Sequence, residues 1–248
     1  MTASGLGQAG EVPSFVDRLG DRVVLPQPSG VLLESLQFRR ELASATFFEE
    51  AVKSRLARLS NFRHSSYCRV RRLQRTGPGR LSLVSAHAAG RRLADLLTLA
   101  SRDHVLVSTP LALALTRQLM TSIALLHDYA PDVFHGAIGP ERCVVVGEGR
   151  LVVTEYVLGA AVEAAAREWG VKRLWTDYRL AVLDDTGLAR YGRRVDLVQI
   201  GLFSLALMVG RPLGAADYPE GVGSLVASAS EMTADERSPP IRPALRDW

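Results

Sequence analysis

"FHGAIGPERCVVV", Phe134 to Val146, has the outline of a loop built for chemistry: a His, a Gly, a turn Pro, an acid and then an apolar strand. Yet its centre, Gly136 to Gly139, carries no side chain able to accept a proton or hold a metal. Working outward, Cys143–Val146 and Arg150–Thr154 read as two short strands joined by "GEG", a hairpin signal. Upstream, "TPLALALTRQLMTSIALLHDYA" reads as a helix with Thr109 as N-cap and Pro110 at its first position; it is apolar nearly all round and so expected to be buried. Downstream of the hairpin, residues 158–194 look less regular. "DLVQIGLFSLALMVG" follows as a second buried helix, opened by Asp196 and stopped by Gly210.

The first third is different in kind. Residues 1–13 are small, polar and Gly-rich, and read as a flexible tail. Gly5, Gly7 and Gly10 spell G-x-G-x-x-G there, but no strand precedes them, so a phosphate loop is not expected. Arg22–Leu25 and Val31–Phe38 are β-rich runs flanking a "PQPSG" turn. "TFFEEAVKSRLARLSNF" reads as a helix with Thr46 as N-cap, Glu49 as its capping-box partner, and Phe48, Val52, Leu56 and Leu59 on one face. Tyr67–Arg75 and Arg80–Ala86 form a strand pair around "TGPG", and "RRLADLLTL" a short amphipathic helix.

The 248-residue chain, 47% hydrophobic, has enough apolar content for a folded core. Two cysteines, Cys68 and Cys143, are too few for a disulfide framework and have no His at metal-ligand spacing. Nothing at the N-terminus reads as a leader, and a cytoplasmic location is expected. Net charge is only +4, but between Ala51 and Ala94 there is no acid, against Lys53 and ten arginines. That window, centred on Arg69, Arg71, Arg72 and Arg75, must present a positive surface, for an anionic partner or simply for solvent.

This order of elements resembles the protein-kinase fold over roughly Leu36 to Trp248. The matching stretches are "RLSNFRHSSYCRVRRL", "LSLVSAHAAGRRLADLL", "ALTRQLMTSIALLHDYAPDVFHGAIGPERCVVV", "GRLVVTEYVLG" and "DLVQIGLFSLALMVGRPL". The resemblance implies an α+β bilobal fold. Residues 14–90 would form a small β-rich lobe with one helix, and 91–248 a mainly helical lobe. "SPPIRPALRDW" looks like the start of a late helix, which implies that the last helices of the large lobe are missing.

Kinase chemistry needs a Lys on the phosphates, a Glu holding it, a base Asp, and an Asn and an Asp on magnesium. Set against H-R-D-L-x-x-x-N, His135 matches and is expected to pack under the loop, Gly136 replaces the Arg, Ala137 the base, and Arg142 the metal-binding Asn. D-F-G becomes Glu155, Tyr156 and Val157; Glu155 could reach a metal or pair with Arg142 or another Arg, and Val157 removes a flexible Gly. Neither Lys53 nor Lys172 lies on the strand that should supply the phosphate Lys, and Val52 stands for its Glu partner. Ser85 and His87 would sit at the adenine end of the cleft, while Asp196 would bind the loop backbone.

The resemblance with its chemistry removed implies a catalytically inactive regulatory or protein-interaction module. No cofactor is expected beyond weak magnesium-ATP binding through Glu155. Two alternatives stand beside it: an atypical active kinase with Glu155 on the metal and Asp184 or Asp185 as base, and a nucleic-acid binder using the arginine window.

Overall fold

The computed structural model describes residues 16–182 and 192–232. The tail and its G-x-G-x-x-G, Asp184 and Asp185, and "SPPIRPALRDW" lie outside the described residues.

Four antiparallel strands build the small lobe: β1 (Gly20–Pro26), β2 (Leu32–Phe38), β3 (Val70–Gly77) and β4 (Arg80–Ala86), in the order β1-β2-β4-β3. The chain leaves β2 into a short helix, α1 (Arg40–Ser44), and then α2 (Thr46–Arg58). Leu36, Phe38, Leu42, Phe48, Val52, Leu81 and Leu83 are buried together between sheet and helices. Thr46 does not cap α2: Ala45 holds that position with no side-chain cap, because α1 leads almost directly into α2. Glu49 turns away from the helix end to Arg75 (Nε 2.9 Å from Oε2) and Lys53 (2.8 Å), charge-assisted contacts stronger than a neutral capping bond.

In the large lobe, β5 (Gly90–Arg92) pairs with β6 (Cys143–Val146), and β6 with β7 (Arg150–Val153). Around this sheet lie α3 (Leu93–Arg102), α4 (Thr109–Tyr129), α5 (Gly159–Trp169), α6 (Val171–Tyr178), α7 (Arg193–Met208) and α8 (Val222–Met232). α7 is buried on nearly every face, Asp196 included. α4, which packs on α7, is only half buried. Leu115, Leu119, Ile123 and Leu126 face the core, whereas Leu111, Leu113 and Met120 are exposed, and Ser108 rather than Thr109 stands at its N-cap position.

The stretch described as less regular contains two helices. "GAAVEAAAREW" is rich in the best helix former. Its small buried face, Ala161, Val162, Ala165 and Ala166, lets α5 lie close against α2, where Phe47 meets Trp169 edge-on at 5.4 Å.

β1 inverts the usual strand pattern. Val23 and Val24 are exposed while Arg22 is turned inward, its side chain 15% exposed. That inward arginine organises the space between the lobes.

Candidate functional site

The loop from Phe134 to Gly139 is held from below by α7. Asp196 Oδ2 accepts from His135 N (2.8 Å) and lies 2.8 Å from His127 Nε2; its Oδ1 accepts from Gly136 N (2.7 Å). One turn on, Gln199 Oε1 accepts from Ile138 N (2.7 Å), and its Nε2 donates to Gly136 O and Ala181 O, both at 2.8 Å. His135 is fully buried beneath the loop. Its Nδ1 accepts from Ala137 N (3.2 Å), which puts the ring proton on Nε2, 3.0 Å from Thr154 O. Burial lowers its pKa and keeps the ring neutral. Gly136 has φ +70°, and a Cβ there would lie 2.6 Å from Gly159 Cα. The Gly in place of an Arg is therefore what lets the loop backbone rest on the start of α5.

Above the loop the lobes meet through buried charges. Arg22 of β1 pairs with Glu155 (Nη2 to Oε2, 2.9 Å), Asp17 (2.5 Å) and Glu34 of β2 (2.9 Å). Arg142, whose side chain is 1% exposed, pairs with Asp17 (2.9 Å) and Glu141 (2.5 Å), with its Nε 3.5 Å from Glu155 Oε2. Arg92 of β5 reaches Glu34 and donates to Glu141 O (2.7 Å). Four carboxylates and three guanidiniums, drawn from both lobes, thus close on one another.

Burial alone would raise the Glu155 carboxyl, but the Arg22 guanidinium overrides it and holds the group below its ordinary value. Asp17 behaves alike under Arg142 and Arg22. At Glu141 burial wins over Arg142 and the carboxyl is pushed up.

The positions that the kinase resemblance assigns to magnesium and ATP carry paired charges here. Glu155 is paired with an arginine, and Arg142 puts a buried cation at the position that the resemblance would give to a magnesium ligand. β2 contains no Lys and points Glu34 into the cluster, while Lys53 is exposed on α2 and bound to Glu49. Among the described residues no three His, Cys, Asp or Glu side chains form a metal cluster. Left-handed backbone falls at Glu155 itself (φ 59°); Val157 is simply core, fully buried.

Ser85 and His87 do lie beside this region. Ser85 Oγ is buried without a hydrogen-bond partner, and His87 Nδ1 stands 3.6 Å from Glu34 Oε2. Of the four arginines at the centre of the basic window, Arg75 is committed to Glu49 and Ala43 O, Arg72 leans on Gln74, and Arg69 and Arg71 have no such contact among the described residues. Sequence reasoning missed Asp17, Arg22, Glu34, Arg92 and Glu141. The available signal was Arg22, a charge directly before the apolar run Val23–Leu25 on a strand.

The protein-kinase fold expected from the sequence is the fold observed. The kinase domain of maize SIRK1, a sucrose-induced receptor kinase solved with AMP-PNP, superposes with TM-score 0.59 at 15% identity, over 93% of this chain and 89% of that one. The Mycobacterium tuberculosis PknI kinase domain gives 0.56 at 12% identity (94% and 91%), and a substituted form of it 0.58 at 14% (94% and 92%). No family model and no curated protein sequence matches the chain. The chain has a protein-kinase-like α+β fold with a β-sheet small lobe and a helical large lobe.

Proposed function

We propose that this chain is a pseudokinase: a catalytically inactive kinase-like domain that works as a regulatory or protein-interaction module. The observation that carries this reading is the closure of Arg22 and Arg142 onto Glu155 and Asp17, which fills the space between the lobes with charges facing one another. To admit a nucleotide the molecule would have to uncover several buried charges. That cost is several kcal/mol for each unpaired ion. The missing base at Ala137, buried with no polar side chain, points the same way.

A thermal-shift titration with magnesium-ATP tests it. The expected result is no change in Tm. A ligand at one hundred times its Kd adds about 2.7 kcal/mol of stability, so a rise of that order, abolished by Glu155→Ala, would overturn the reading.

A further inference from the structure

A cavity of about 370 Å³ opens beneath the start of β3, away from the charge cluster, lined by Phe62, Arg63, His64, Ser65, Tyr67, Arg69 and Tyr156. We infer that it binds a small organic phosphate monoester carrying an unsaturated ring. Its volume lies at the low end of small-molecule sites.

The base of the cavity is aromatic. Phe62 meets Tyr67 at 5.0 Å and Tyr156 at 5.3 Å, and Tyr67 meets Tyr156 at 5.2 Å, so three ring edges form one apolar floor. That floor is rigid: Tyr67 Oη donates to Ser122 O of α4 at 2.6 Å, and Val70 N donates to Tyr156 Oη at 3.4 Å. The rim is cationic. Arg63 is exposed and bonds only the carbonyl of Phe62 (2.6 Å), and Arg69 is exposed with no side-chain hydrogen bond. Among the described residues no ion pair joins Arg63, Arg69 or the adjacent Arg71 to a carboxylate. Elsewhere in the same lobe Arg22, Arg55, Arg58 and Arg75 have one, while Arg39, Arg40, Arg72 and Arg80 have none among the described residues.

The Arg69 pKa is lowered by desolvation first and then by the Arg63 and Arg71 charges, so these cations oppose one another and a dianion would relieve them. His64 adds a donor: its Nδ1 accepts from Ser66 N (3.2 Å), which leaves the proton on Nε2. Arg150 holds the wall by donating to Ser65 O at 2.8 Å. Two guanidiniums over an apolar base are suited to a phosphate whose organic part is a flat ring: guanidinium forks match phosphate oxygens, and the ring covers the floor.

The test is calorimetric titration of the whole chain with phenyl phosphate, inorganic phosphate and phenol, repeated on Arg63→Ala/Arg69→Ala. Both arginines are exposed, so the variant is expected to keep its Tm. Phenyl phosphate should bind about tenfold or more tightly than either fragment, and the double substitution should weaken it by about tenfold or more. Equal affinity for phenyl and inorganic phosphate, or undiminished binding by the variant, would overturn the site. So would binding of a phosphotyrosyl peptide with none of phenyl phosphate. The cleft reading fails separately: nucleotide stabilisation that is lost in this double variant belongs to the cavity, whereas stabilisation that survives it and is lost in Glu155→Ala belongs to the cleft.

Discussion

Arg22 and Arg142 between the lobes, and Arg63 and Arg69 at the rim of the aromatic cavity, are the same residue type placed under opposite electrostatic conditions. The first pair is buried, and carboxylates from both lobes surround each guanidinium. The second is exposed, and among the described residues neither arginine forms an ion pair with a carboxylate. A buried unpaired cation is untenable, so the cleft had to be closed with acids; an exposed one is tolerated by water and remains available to a ligand. On the proposed reading, the space between the lobes is taken up by charges that answer one another. Unmatched positive charge has its clearest outlet elsewhere.

The strongest way to break that contrast is to remove a buried partner. Arg142→Ala leaves Asp17, Glu141 and Glu155 facing one another and should cost about 3–5 kcal/mol in chemical denaturation. An effect below 1 kcal/mol would mean the cluster is solvated and the cleft open.

Glu155→Gln keeps the shape and removes the charge. It should cost about 1.5–3 kcal/mol at neutral pH, the range for hydrogen bonds to charged groups. It should also change the acid limb. The Glu155 pKa is depressed in the folded state, so its stabilisation is present above its ordinary value of 4.5 and lost as pH falls through the lower folded value. Wild type should lose stability below about pH 4.5 more steeply than Glu155→Gln, as read by denaturation midpoints against pH. The raised Glu141 carboxyl acts in the opposite sense: its contribution is fully present below the ordinary value and is lost as pH rises through the folded one.

A smaller effect is expected at the loop. Gly136→Ala places a Cβ in left-handed backbone against Gly159, costing about 1–2 kcal/mol from the conformation alone. Restoring an Arg at that position should therefore destabilise the chain rather than revive it. At the bottom of the scale, Arg69→Ala should lie within about 0.5 kcal/mol of wild type. A large loss there would mean that Arg69 is structural and the two regions are not opposites.

Much of the fold was legible because hydrophobic period and turn chemistry are local. Arg80–Ala86 and Cys143–Val146 were bounded as observed, and the order of loop, hairpin and buried helix placed Ala137, Arg142, Glu155 and Asp196 in one region. α5 was overlooked although its Ala-rich run favours a helix; what buries its small face is the neighbouring α2. Among site residues, Arg142 and Glu155 were found by position within a loop pattern. Arg22 and Glu34 on short strands, and Asp17 just ahead of β1, were not, since an acid or a base there reads as solvent-facing until the opposite lobe is in place.

What the sequence alone determined is the path of the chain and the character of its loop: Ala137 cannot accept a proton in any fold. What only the tertiary structure decided is which charges answer one another. Asp17 and Arg142 are 125 residues apart, and Arg22 and Glu155 are 133 apart. The local preferences of a chain carry no information over such separations; burial brings these groups together and then requires that they be paired.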